Sequence, residues 1–183
     1  MDALRLADRI QIQDCLFRYA RGVDRKDWNL VRSAYHADAH DDHGEYKGGV
    51  EGFIESLARR HSTIEQSLHL IGNVVIEFDA EDSALVEAYF TTHQRDAPLP
   101  DHTSVEVEAI GRYIDRMVRR GGDWRIARRT VVLEVLRRHP AREGGGLPDG
   151  WVRARRDGHD PLEISRRALG LPDRIALSSR GID

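Results

Sequence analysis

Two long strand-like segments, Ser104–Val118 and Trp124–Val135, flank the turn Arg119-Arg120-Gly121-Gly122-Asp123. No other feature limits the fold as tightly. A glycine-rich turn between segments of this pattern folds them back as an antiparallel hairpin. Ala84–His93 supplies a third strand. Its alternation puts Leu85, Glu87, Tyr89, Thr91 and His93 on one face, and Val86, Ala88, Phe90 and Thr92 on the other. A fourth follows from Val74-Val75-Ile76-Glu77-Phe78, an apolar run rich in β-branched residues. His69 stands just before that run, and is expected at the strand's entrance. Four or more long strands twist and curl as a sheet.

Helical periodicity comes first in the chain. Ile12, Cys15, Leu16, Tyr19 and Val23 recur at spacings of three and four, which predicts an amphipathic helix over residues 2–22. Gly22 is expected to end it, with Asp24 in the exit turn. On a continued helix Tyr19 and Asp24 would lie about 140° apart, so they converge only if the chain bends after Gly22. Asp27 reads as the N-cap of a second helix with Trp28, Val31 and Tyr35 on its buried side, ending near His36–Asp38. A short strand, a turn at Gly44 and a return occupy residues 39–48. Residues 49–61 form a third helix on Phe53, Ile54 and Leu57. Helices followed by an antiparallel meander give an α+β fold. Packed at one side of the curled sheet, they close a cone around a hydrophobic pocket.

Residues 1–136 form the domain. Residues 137–183 hold too little apolar sequence for a second one. They are expected to be an arm that lies over the domain, covers the pocket mouth or reaches a neighbouring subunit.

Composition removes several function classes. The 183 residues carry 28 Lys and Arg against 31 Asp and Glu, a net charge of −3, which gives no global electrostatic case for nucleic acid. The basic run Arg153-Ala154-Arg155-Arg156 is short and lacks interleaved aromatic residues. No apolar run approaches the roughly 20 residues of a membrane helix, and no signal peptide is visible, so a cytoplasmic protein is expected. One cysteine, Cys15, excludes a disulfide framework. His40, Asp41, Asp42 and His43 are metal-ligand types, but adjacent strand residues alternate between faces, so at most two could share one ion. No metal is expected; His43 is read as the member facing the pocket.

The chemistry is sought in Asp24 and His69. A neutral imidazole accepts a proton near pH 7, and a carboxylate beside it would orient it. The segments Tyr19–Trp28, Asp38–Gly48, His69–Asn73, and Gly111–Arg116 through Trp124–Arg129 together resemble the SnoaL-like proteins of the nuclear transport factor two-like superfamily. The resemblance covers roughly residues 5–136 and extends to scytalone dehydratase, bile-acid 7-alpha-dehydratase and hexachlorocyclohexane dehydrochlorinase. It implies a curved mixed sheet around a hydrophobic pocket. It implies an aspartate at Asp24 orienting a histidine base at His69. Tyr19 matches a tyrosine acid or hydrogen-bond donor, His93 a second pocket histidine, and Arg129 an arginine that steadies a departing anion. Gly111 and Tyr113 replace the serine and asparagine of the scytalone dehydratase pocket, so that substrate is not expected. His43, Tyr113, Asn73 and Trp28 are expected on the substrate-binding side.

The resemblance thus implies a cofactor-free lyase, of dehydratase type, or an isomerase. Its substrate would be a hydrophobic cyclic or aromatic small molecule. Retro-aldol cleavage releasing a small aldehyde would use the same parts. The alternatives are a ligand-binding protein and an assembly module like a dioxygenase small subunit. Homodimerisation through the sheet's outer face is expected, with Val86, Ala88, Phe90 and Ile114 as the outward apolar residues.

Overall fold

The computed structural model describes residues 3–99, 103–141 and 148–171. Residues 1–2 at the start of the expected domain and helix, residues 100–102 between two of its strands, and residues 142–147 and 172–183 of the expected arm lie outside the described residues. The elements are α1 (Ala3–Arg25), α2 (Trp28–Ser33), β1 (Tyr35–Asp42), β2 (Lys47–Gly49), α3 (Val50–Arg60), β3 (Ile64–Ala80), β4 (Ser83–Asp96), β5 (Val105–Arg120), β6 (Asp123–Pro140) and α4 (Pro161–Ala168). Among them no helix is long and apolar enough to cross a membrane.

The six strands form one mixed sheet in the order β2-β1-β6-β5-β4-β3. Only β1 against β6 is parallel. The sheet is α+β as expected but is not closed into a barrel: β2 and β3 remain as edges. The long hairpin is β5–β6, and its turn uses Gly121 and Gly122 at positive φ, where residues with a Cβ are strained.

The core lies between this sheet and the helices. Ile12, Cys15, Leu16, Tyr19 and Val23 of α1 pack with Phe53, Ile54 and Leu57 of α3 over Val86, Ala88, Tyr113, Met117, Trp124 and Ile126. The start of α1 is fixed by polar contacts to the far hairpin. Asp8 accepts from Trp124 Nε1 at 2.8 Å and from Arg119 at 3.1 Å.

Four expectations are corrected here. First, α1 does not stop at Gly22 but runs to Arg25, so Asp24 sits in its last turn and no bend brings it toward Tyr19. The residue at positive φ is Lys26, not the glycine. Gly22 serves packing: a Cβ there would lie 2.7 Å from Val31 Cγ2 and 2.8 Å from Val31 N. Second, Tyr35 opens β1 instead of extending α2, which ends at Ser33. Third, His69 is not at a strand entrance, since β3 begins at Ile64.

Fourth, the parity of β4 is reversed. Val86, Ala88 and Phe90 face the core, while Leu85 and Tyr89 are exposed on the outer face with His93. A one-residue change of parity moves every side chain of a strand to the other side, and both faces of β4 carry enough apolar residues to fit either. Extra residues in the ladders add to this. Ala127 bulges from β6, so Trp124 and Ile126 share the inner face with Arg129, Val131 and Leu133, and Arg125 and Ala127 do not.

Candidate active site

Asp24 and His69 meet. The Asp24 carboxylate takes three hydrogen bonds. Oδ1 accepts from His69 Nδ1 at 2.6 Å and from the Ser67 hydroxyl at 2.9 Å; Oδ2 accepts from the His69 backbone N–H at 2.9 Å. Donors on both oxygens hold the carboxylate in one orientation. It can only accept from Nδ1, so the proton of a neutral His69 resides there and Nε2 carries the free lone pair. The His69 side chain is 5% exposed and that of Asp24 10%. Ser67 shares the inner face with His69 because they lie two apart on β3.

From His69 the inner face runs as paired rows. His69 lies opposite Thr92, Thr92 opposite Ala109, and Ala109 opposite Leu136. The next row is Ile71, Phe90, Gly111 and Leu133. Ile71 and Ala109 are half-buried, and Leu133 and Leu136 are about half exposed. Beyond Thr92 these rows are apolar, and their β6 end, at Leu133 and Leu136, reaches solvent. Gly111 matters locally. Phe90 stacks on Tyr113 with ring centroids 4.4 Å apart, and a Cβ at Gly111 would fall 2.9 Å from Phe90 Cζ and 2.2 Å from the Val132 carbonyl.

A second carboxylate–imidazole pair lies deeper. His43 Nδ1 is 2.5 Å from Asp41 Oδ1, and Asp41 Oδ2 accepts from the Tyr35 hydroxyl at 2.7 Å. His43 Nε2 meets the Tyr19 hydroxyl at 3.3 Å. Asp41, Arg129 and Asp115 form one cross-strand row. Arg129 donates to both oxygens of Asp115, from Nε at 2.7 Å and from a terminal nitrogen at 2.6 Å. Its guanidinium carbon sits 4.3 Å from the Tyr19 ring centroid and 4.0 Å from that of Tyr113. Burial works against the Arg129 charge, but Asp115 and the phenols outweigh it and hold the pKa well above the ordinary arginine value. Burial pushes Tyr19 up to about 12, with Arg129 pulling back, so its hydroxyl keeps its proton.

The SnoaL-like domain model matches residues 4–130. The chain belongs to the SnoaL-like domain family. Solved structures show the same fold. A protein of Novosphingobium aromaticivorans provisionally named a scytalone dehydratase is 18% identical, with a TM-score of 0.68 over 84% of this chain and 100% of that one. A type 2 hexachlorocyclohexane dehydrochlorinase is 21% identical, with a TM-score of 0.67 over 82% and 100%. A type 3 dehydrochlorinase from Novosphingobium barchaimii is 22% identical, with a TM-score of 0.60 over 81% and 99%. At these identities the likeness establishes the fold alone. No curated protein matches the chain by sequence.

Within the SnoaL-like domain, Asp24 and His69 come together at one end of α1, while Tyr19, His43, Tyr113 and Arg129 gather along its middle. Three other expected residues stand apart. His93 is exposed on the outer face, one strand over from Leu68, because it shares the parity of Leu85 and Tyr89. Asn73 is exposed at φ +46° where β3 carries an extra residue against β4, so it shapes the backbone and stands away from the Asp24–His69 pair. Trp28 packs edge-on against His61, with centroids 6.1 Å apart. Arg129 is present but fully engaged by Asp115, so it acts on its surroundings through the Tyr19 and Tyr113 rings.

Ser67 and Asp115 are not among the residues expected from sequence, and Asp41 and Tyr35 are not expected there as partners of His43 and Arg129. Position i−2 on the same strand face would have pointed to Ser67 from His69 and to Asp41 from His43.

Two buried histidines make the domain acid-sensitive. Burial, then Arg60 and Arg156, hold His61 down to about 2; burial lowers His43 against the pull of Asp41. Unfolded, both bind a proton near pH 6.5. Below that pH the unfolded chain therefore binds more protons than the folded one, and stability falls. It is complete above about pH 6.5 and is lost progressively as pH drops toward the folded-state values. The urea midpoint is expected to be lower at pH 5 than at pH 8; equal midpoints would contradict this.

Proposed function

We propose that this SnoaL-like domain is a cofactor-free lyase of dehydratase type, or an isomerase, acting on a hydrophobic cyclic or aromatic small molecule. The observation that carries the reading is the Asp24–His69 pair: a carboxylate locked by three donors, an imidazole whose free Nε2 is fixed by elimination, and an apolar floor leading to it. Such an imidazole is a general base. His69 takes a proton from carbon or oxygen. Asp24 holds the tautomer and stabilises the imidazolium that forms.

At the other end the Tyr19 hydroxyl, which at rest donates to His43 Nε2, turns to give its proton to a departing or developing oxygen. Arg129 lies over the Tyr19 ring and favours the negative charge left there. Tyr19 and Asp24 leave α1 about 7.5 Å apart along the axis, at about 1.5 Å per residue. A molecule touching both ends is then the size of one or two rings. Proton removal and loss of water or hydroxide balance without any redox partner.

The test is incubation of the protein in deuterium oxide with a panel of cyclic β-hydroxy ketones and aromatic compounds, read by mass spectrometry. Water loss, or deuterium at the acidic carbon, is expected. Retention of a compound without exchange or turnover would instead make the domain a binding module.

The same reading includes self-association. The outer face carries Leu68, Leu70, Val75, Leu85 and Tyr89, all exposed, beside half-buried Ile110, Ile114, Val132 and Val135. Exposed apolar side chains this numerous, set around the Arg112–Glu87 and Arg112–Glu134 ion pairs of the same face, call for a partner, and a second copy is the simplest. Sedimentation velocity at micromolar concentration is expected to give a species of at least twice the chain mass; a monomer would refute it.

A further inference from the structure

We infer that Arg156, on the segment following the SnoaL-like domain, is a positioning residue that holds the Asp24–His69 pair in register. This rests on the reading of that pair as the catalytic base.

The argument starts at the end of α1. A helix leaves its last carbonyls without intrahelical donors. Two of them are met locally. Asp27 N–H donates to the Gly22 carbonyl at 2.9 Å and Lys26 N–H to the Val23 carbonyl at 3.3 Å, with Lys26 in the left-handed conformation at φ +55°. This is the usual closure of a helix C-terminus, and it leaves the Asp24 carbonyl unserved. Arg156 Nε donates to that carbonyl at 2.7 Å. One terminal nitrogen donates to the Val23 carbonyl at 2.9 Å and to His61 Nδ1 at 2.7 Å. The other donates to the Ile64 carbonyl at 2.6 Å.

Ile64 is the first residue of β3, the strand that carries Ser67 and His69. One planar group therefore ties the last turn of α1 to the first residue of β3. Those are the two backbone segments whose side chains form the pair. An arginine can do this and a lysine cannot, because its donors form a rigid planar fork. His61 remains a neutral acceptor for it at ordinary pH, since burial and the neighbouring Arg60 keep its pKa near 2.

The segment bearing Arg156 is clipped to the same turn. Asp160 caps α4 through Leu162 N–H at 3.1 Å, accepts from Arg155 N–H at 3.2 Å, and pairs with Arg25 at 3.4 Å. Glu163 pairs with Arg21. Arg155, Arg156, Asp160 and Glu163 all lie beyond residue 130, where the family match ends. The arm thus contacts the domain behind the pair, at the turn that carries Asp24.

The test uses the full chain and reads the pair directly. In the wild-type protein, proton NMR with ¹⁵N-labelled histidine is expected to show a downfield, slowly exchanging resonance for His69 Nδ1–H bonded to Asp24. In Arg156→Ala that resonance is expected to be lost to exchange, and in Arg156→Lys to be weakened. Millimolar guanidinium is expected to restore it in Arg156→Ala. In the deuterium assay kcat is expected to fall roughly 10- to 100-fold, as for a displaced catalytic group, with KM changed by about twofold or less.

An unchanged His69 resonance in folded Arg156→Ala would overturn the proposal. Should Arg156→Ala fail to fold, an unchanged resonance in Arg156→Lys would do so. Undiminished turnover in His69→Ala would sink the catalytic reading instead, and leaves the resonance test of Arg156 standing.

Discussion

Replacing His69 with alanine is expected to lower turnover by about 10²–10⁴-fold, the range in which positioned general bases contribute. The fold should survive. The His69 backbone N–H still donates to Asp24, and Ser67 still fills the other oxygen. Asp24→Asn should be comparably damaging for a different reason. A carboxamide offers one acceptor oxygen where the site supplies three donors, so its NH₂ group must face the Ser67 hydroxyl, the His69 amide or the imidazole N–H. The imidazole would then be free to turn or to take the other tautomer. Initial rates on the substrate found in the deuterium screen, with thermal melts alongside, check both variants. A His69→Ala enzyme that melts as wild type and turns over at the wild-type rate would remove His69 from the chemistry.

Asp115→Asn carries the largest expected effect on stability. Arg129 and Asp115 are 0% and 1% exposed at their side chains and share two hydrogen bonds. Removing the anion alone strands a guanidinium among three phenols, with Asp41 reached only through the Tyr35 hydroxyl at 3.5 Å. Breaking one partner of such a buried pair costs about 3–5 kcal/mol. For a domain of this size that is a fall in melting temperature of roughly 6–20 °C. Replacing both members with apolar groups, as in Arg129→Met with Asp115→Leu, should recover much of the loss, since the pair's desolvation cost vanishes with it. A calorimetric comparison of the two variants decides the matter. Equal melting temperatures for Asp115→Asn and wild type would show that the charge finds compensation elsewhere.

The fold was largely legible because its signals are local. The hairpin at Gly121-Gly122, the N-cap at Asp27 and the apolar stripe from Ile12 to Val23 each depend on neighbours in sequence, and each forms as expected. The pair of Asp24 with His69 is visible in the family resemblance more than in periodicity. Its third member, Ser67, needed the strand to begin at Ile64 and not near His69. The failures have a common cause. Parity in β4 depends on which of two similar faces meets the helices, and nothing within β4 records that choice; hence sequence puts His93 inside and Phe90 outside, and the structure reverses both. Gly22 looks like a stop because glycine ends many helices, whereas here contact with Val31 requires it and Lys26 takes the strained position. Arg156 lies 132 residues from Asp24. In a run of arginines its four partners are set by tertiary packing alone, and solvated basic loops look the same in sequence.

The protonation pattern of His69 tests the central claim most directly. Long-range ¹H–¹⁵N correlation at pH 8 on the histidine-labelled full chain reports which ring nitrogen holds the proton. The proton is expected on Nδ1, bonded to Asp24, with Nε2 bare. A proton on Nε2, or a ring exchanging freely between tautomers, would contradict the account.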